Sequence, residues 1–158
     1  MITVKDIRKR IEAICSAIPE IKTVIVEDDD GNVTYDNATL PAVIVFSRRA
    51  NRLRQSGDSW TVTRNFHIGL LFSRLDNGLS RSEQIEQAEI AEEFMEVIPD
   101  YFLRKARKLE FGDQGLMGVI ETAPMTDEGL ELRSHGKDSH IKNYYSVTYT
   151  LPVTYNRR

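Results

Sequence analysis

The chain has 158 residues, with 21 Lys+Arg against 24 Asp+Glu and a formal charge of −3. That length suits one domain spanning residues 1–158. Apolar residues at 41% and charged residues at 28% supply a real core, which excludes intrinsic disorder as a description of the whole. The near balance of charge excludes a protein that works by bulk positive charge. No run approaches the roughly 18 consecutive apolar residues of a membrane-spanning helix, so no membrane partner is expected. The first residues run quickly into Asp6 and Arg8, a pattern without a secretory signal. A lone cysteine, Cys15, makes no internal disulfide, which leaves folding to core burial in a reducing or redox-indifferent compartment.

The first predicted element is a helix. Thr3 suits its N-cap, with Asp6 as a capping-box partner. Val4, Ile7, Ile11, Ile14 and Ile18 recur every three or four residues, while Lys5, Arg8, Lys9 and Glu12 take the opposite side. Pro19 stops it. Cys15 lies at the edge of the apolar stripe, where a thiol is packed and inert.

A β-branched run over 21–27 predicts a strand, and Asp30-Gly31 a tight hairpin turn leading to a brief return over 33–35. Leu40-Pro41 opens a nearly continuous apolar strand over 42–47, covered on both faces. Residues 48–58 read as a polar loop rich in arginine: Arg48, Arg49, Arg52 and Arg54. The next strand is the clearest pattern in the chain. Trp60, Val62, Phe66, Ile68, Leu70 and Phe72 alternate onto one face, interrupted by Arg64. Thr61, Thr63, Asn65, His67, Gly69 and Ser73 take the other, with Leu71 the exception. At about 3.3 Å per residue it spans about 40 Å, roughly twice the common strand length, so it is expected to outrun its own sheet and either pair with a neighbouring loop or hairpin or project toward another chain.

Ser80 and Glu83 predict a capping box for a second helix, with Ile85, Ala88, Ala91, Phe94, Met95 and Ile98 buried and the glutamates facing water. Pro99 predicts a kink or a fresh helix over 99–107. A strand is expected over 115–125, and residues 126–143 carry no assignable pattern. The chain closes with an alternating strand in which Tyr145, Val147, Tyr149, Leu151, Val153 and Tyr155 share a face. Pro152 marks that end as an edge or as lying beyond the sheet. The order predicts an α+β fold, a mostly antiparallel sheet with long strands packed against two main helices.

Chemistry-bearing spacings are absent. Asp28, Asp30 and Gly31 resemble part of a calcium loop, but Val26 and Asn37 occupy its ligand positions. His67, His135 and His140 lack the paired spacing of a zinc site. There is no nucleophile elbow and no phosphate-binding glycine loop. The sequence thus predicts no enzyme, no cofactor and no metal. The arginine segment, with Trp60 following, admits three readings: a nucleic-acid phosphate patch, a protein interface, or a solvated hairpin tip.

The element order resembles the tail-terminator (tail-completion) proteins of long-tailed bacteriophages. The features that carry it are the amphipathic N-terminal helix, the Leu40-Pro41-Ala42-Val43-Ile44-Val45 strand, the alternating strand over 60–72, the helix over 80–98 and the closing strand from Tyr145 to Tyr155. Together they span residues 3–155. The resemblance implies a non-enzymatic virion component of the tail or neck, assembled in the host cytoplasm. It implies a homohexameric ring that caps the tail tube protein, meets a head-completion or connector protein, and lets DNA pass through its lumen without sequence-specific binding. Arg48, Arg49, Arg52, Arg54 and Trp60 are then candidate interface residues. Two other readings stand beside it: a nucleic-acid-binding accessory protein using the arginine segment, with Arg64 and the cations at 104–108, and another head–tail connector or neck component.

Overall fold

The computed structural model describes residues 3–25, 40–54, 60–73, 81–105, 108–110, 119–121, 125–134 and 143–157. Helix α1, Val4–Ser16, begins at a complete capping box. Thr3 Oγ1 accepts from the Asp6 amide at 3.2 Å, and the Thr3 amide donates to Asp6 Oδ2 at 2.8 Å. Those bonds favour the ionised carboxylate and hold the Asp6 carboxyl below its usual range. Ile7, Ile11, Ile14, Cys15 and Ile18 are buried as the spacing predicts. Arg8 and Glu12 depart from the expected solvent side: their side chains are only 18% and 12% exposed and approach each other at 3.5 Å.

Three strands dominate the sheet: β2, Ala42–Arg54; β3, Trp60–Ser73; and β8, Asn143–Arg157, with 13, 14 and 15 residues. The others are short: β1, Thr23–Ile25; β4, Lys108–Glu110; β5, Val119–Glu121; β6, Thr126–Asp127; and β7, Glu131–Ser134. The main sheet runs β1-β2-β3-β8-β6, with β7 also on β8. Only the β1–β2 pair is parallel there. Strands β4 and β5 form a separate antiparallel pair. The architecture is α+β, as predicted.

The alternation in β3 and β8 decides the core. Register places Ile68 opposite Tyr149, Phe66 opposite Leu151 and Leu70 opposite Val147, so both apolar rows fall on one face. That face is buried against Ile7, Ile11, Ile14 and Ile18 of α1. It also meets Ala91 of α2, Arg81–Phe94, and Ile98 and Phe102 of α3, Val97–Lys105. Strand β2 serves both faces of the sheet. Val43 and Val45 join the main core, while Ala42 joins Ile25 and Leu40 in a second, smaller cluster. On that second face a Cβ at Gly69 would stand 3.0 Å from Ile44 Cγ2, so glycine is what lets Ile44 lie across β3.

Several expectations are corrected. Ile85 is 54% exposed and Ala88 is exposed, so the buried stripe of α2 begins only at Ala91. The break between α2 and α3 falls at Met95-Glu96, before Pro99. Proline has no amide hydrogen to offer the carbonyl four residues earlier, and its ring clashes with that carbonyl. Four residues before Pro99 is Met95. The proline therefore frees a buried carbonyl, and the hydroxyl of the fully buried Tyr149 donates to it. Within 115–125 only Val119–Glu121 is strand among the described residues. The unassigned segment over 126–143 supplies β6 and β7, whose amides have a ready partner in the edge of β8. The expected hairpin turn at Asp30-Gly31, the return over 33–35, and the Ser80 cap lie outside the described residues.

Candidate interface

The candidate interface grows from the hairpin of β2 and β3. Residues 48–54, expected as loop, continue β2 instead. Strand β3 offers amides and carbonyls throughout 60–65, and backbone pairing outweighs the polarity of the side chains. A register irregularity lies between Ser47 and Arg49. Beyond it Arg49 stands opposite Asn65, Arg52 opposite Val62, and Arg54 opposite Trp60. On the far side of β3, Trp60 is opposite Arg157 and Val62 is opposite Tyr155. Backbone register thus places Trp60 between Arg54 and Arg157. Arg157 was not singled out from sequence, although counting the alternation of the closing strand back from Tyr155 would have reached it.

Among the described residues this part of the sheet has three strands, with no strand on either outer border. Strand β1 pairs with β2 only as far as Ile44. Strands β6 and β7 cover β8 only as far as Thr150. Over 45–54 of β2 and 151–157 of β8 the outer edges have no hydrogen-bonded strand among the described residues. Pro152 sits in the stretch of β8 where no described strand on the outer side calls for its amide, a position proline tolerates. Arginines along one border and a proline on the other are the usual devices against indiscriminate edge pairing.

The remaining candidates separate. Arg64 sits between Ala50 and Val153 in register, and its Nε donates to the Tyr155 hydroxyl at 3.4 Å. It is tied to the arm rather than presented as a loose phosphate ligand. Arg104 and Lys105 are exposed at the end of α3, a different element, with Lys105 Nζ 5.7 Å from the centre of the Tyr101 ring. His67 lies on the second face, stacked on Phe46 at 5.2 Å and bonded through Nδ1 to Thr150 Oγ1 at 3.2 Å. Cys15 is fully buried, and burial pushes its thiol up to about 12, so it is no nucleophile near neutral pH. Among the described residues no group of acidic, histidine and cysteine side chains is arranged to hold a metal ion, and no helix is long and apolar enough to cross a membrane. His135 and His140 lie outside the described residues. No family model matches the chain, and no curated protein matches it.

Proposed function

We propose that the chain is a structural ring subunit of the tail-terminator kind, which caps the tail tube of a long-tailed bacteriophage and joins it to the head connector. The observation that supports this most is the three-stranded arm, whose outer borders carry no strand among the described residues. The 14-residue β3 does not outrun its own sheet, contrary to expectation, since β2 and β8 flank it almost throughout. It is these three long strands together that continue beyond their pairing with β1, β6 and β7. Repeated head-to-tail contacts between such subunits close into a ring when the rotation allows it. A closed ring terminates a tube by geometry, because its outer surface no longer matches the next tube ring. Affinity then comes from modest contacts multiplied around the symmetry axis. The acidic total charge also suits a ring through which DNA slides, since a strongly basic lumen would hold phosphates.

Removing the gene from its phage should give overlong tails that do not join heads. Tails of normal length on filled heads would overturn the reading. The register of Trp60 between Arg54 and Arg157 favours one second reading, a nucleic-acid-binding accessory protein. Tight DNA binding that weakens steeply with salt, by a chain that stays monomeric, would select it.

A further inference from the structure

The arginine arm has a counterpart of opposite charge on another element. Helix α2 carries Glu83, Glu86, Glu89, Glu92 and Glu93, and no lysine or arginine occurs between Arg81 and Arg104. Glu86, Glu89 and Glu93 follow one another at spacings of three and four, on a face where all three are exposed. Like charges at those spacings repel and weaken a helix. Ile85 and Ile90 border this acidic row and are 54% and 53% exposed. The face thus combines a row of exposed carboxylates with exposed aliphatic surface, the combination that arginine suits through its charged head and apolar stem.

The backbone places positions 52 and 54 of the same chain far from it. Phe94, at the end of α2, packs on Phe72 with ring centres 4.8 Å apart, which fixes α2 at the Ser73 end of β3. Glu86 is eight residues from Phe94, about 12 Å along the helix. Val62 and Trp60, the register partners of Arg52 and Arg54, lie about 33 and 40 Å from Phe72 along β3. Even an α2 directed straight back along the sheet leaves a gap beyond the span of two side chains.

We infer that the exposed face of α2 is the docking surface for the arginine arm of a second copy of this chain. The two surfaces are different, and in the ring each subunit uses both, head to tail, which is the heterologous arrangement that closes a ring. This inference rests on the ring reading above and names the contact that builds the ring. It also gives the arginines a role consistent with edge protection: they reject a bare strand edge and accept an acidic helix.

The test uses the full chain, with assembly read by native mass measurement and analytical ultracentrifugation. Wild type should form a discrete multi-copy particle at low salt. Glu86→Lys with Glu89→Lys should weaken association at least tenfold while leaving the circular dichroism unchanged, and so should Arg52→Glu with Arg54→Glu. Mixed in equal amounts, the two variants should assemble again. Native arms then meet native helices and glutamate arms meet lysine helices, in alternation. If the arm variant does not fold, Arg52→Gln with Arg54→Gln takes its place, and weakened assembly alone is the expected result. A wild type that assembles while the α2 variant assembles equally well overturns this contact and leaves the ring reading standing. Variants that dissociate singly but do not reassemble when mixed overturn the pairing of these two surfaces. A wild type that stays monomeric up to high concentration overturns the ring reading itself.

Discussion

At the scale of single residues, burial settles what the side chains do. Phe66 is fully buried in the middle of the core face, so Phe66→Ala should cost about 3–5 kcal/mol of unfolding free energy, measured by urea titration. A loss below about 1 kcal/mol would place Phe66 outside the core. Cys15 gives a prediction of opposite kind. Its thiol is raised from 9.0 to about 12, chiefly by burial and secondarily by the charge of Glu12. The folded state then keeps a proton that the unfolded chain releases above about pH 9. This contribution is complete below that pH and is lost as pH rises towards 12. Burial raises the Tyr149 hydroxyl in the same direction, above its ordinary 10.0. Stability should therefore fall on the alkaline side, and at pH 10 the Cys15 share is about 1 kcal/mol. Comparing urea midpoints at pH 7 and pH 10 for wild type and Cys15→Ala checks this, the variant losing less. In the native state the thiol should ignore alkylating reagents and react only on unfolding.

At the scale of elements, the α2–α3 junction couples two residues that are fifty positions apart. Pro99 takes an amide from the helix, the Met95 carbonyl loses its donor, and the Tyr149 hydroxyl replaces it inside the core. Tyr149→Phe should cost about 1–3 kcal/mol, because a buried carbonyl is left without a partner. Pro99→Ala restores an amide at the position the helix requires. In that background Tyr149→Phe should cost clearly less, and the double-mutant cycle should show a coupling of at least about 0.5 kcal/mol. Strict additivity would mean the proline and the tyrosine act independently. The coupling itself is not legible from the sequence. Period-two alternation put Tyr149 on the core face correctly, and Pro99 announced a break correctly. The partnership needed the register between β8 and the helices, which no local pattern encodes. The arm was obscured for a related reason. Residues 48–54 are polar enough to read as loop, yet 60–65 sit opposite them in register and pair with them. Ile85 was assigned to the buried stripe of α2 because spacing was read without knowing where the helix leaves the sheet.

At the scale of the whole molecule, charge is distributed as a polarity. The sequence balance of −3 conceals four arginines within 48–54 and five glutamates within 83–93. The two groups sit on different elements, β2 and α2, which is why composition excludes a basic nucleic-acid coat but does not disclose two complementary surfaces. If subunits associate through exposed charges, assembly must respond to ionic strength. The Debye length falls from about 8 Å at 0.15 M salt to about 3 Å at 1 M, which screens exposed pairs far more than buried apolar contacts. Association also stabilises the folded state by mass action, by about 1.4 kcal/mol for each tenfold rise in concentration above the dissociation constant. For a domain of this size that corresponds to a rise in Tm of roughly 3–6 °C per decade. We expect the Tm at low salt to climb with protein concentration and the slope to flatten at 1 M salt. Scanning calorimetry across a hundredfold concentration range measures both. A Tm that does not move at low salt would leave the chain a monomer and the arm without its partner. A slope that persists unchanged at 1 M salt would mean that the subunits meet through apolar surface, and that the arginines serve only to keep the sheet edge closed.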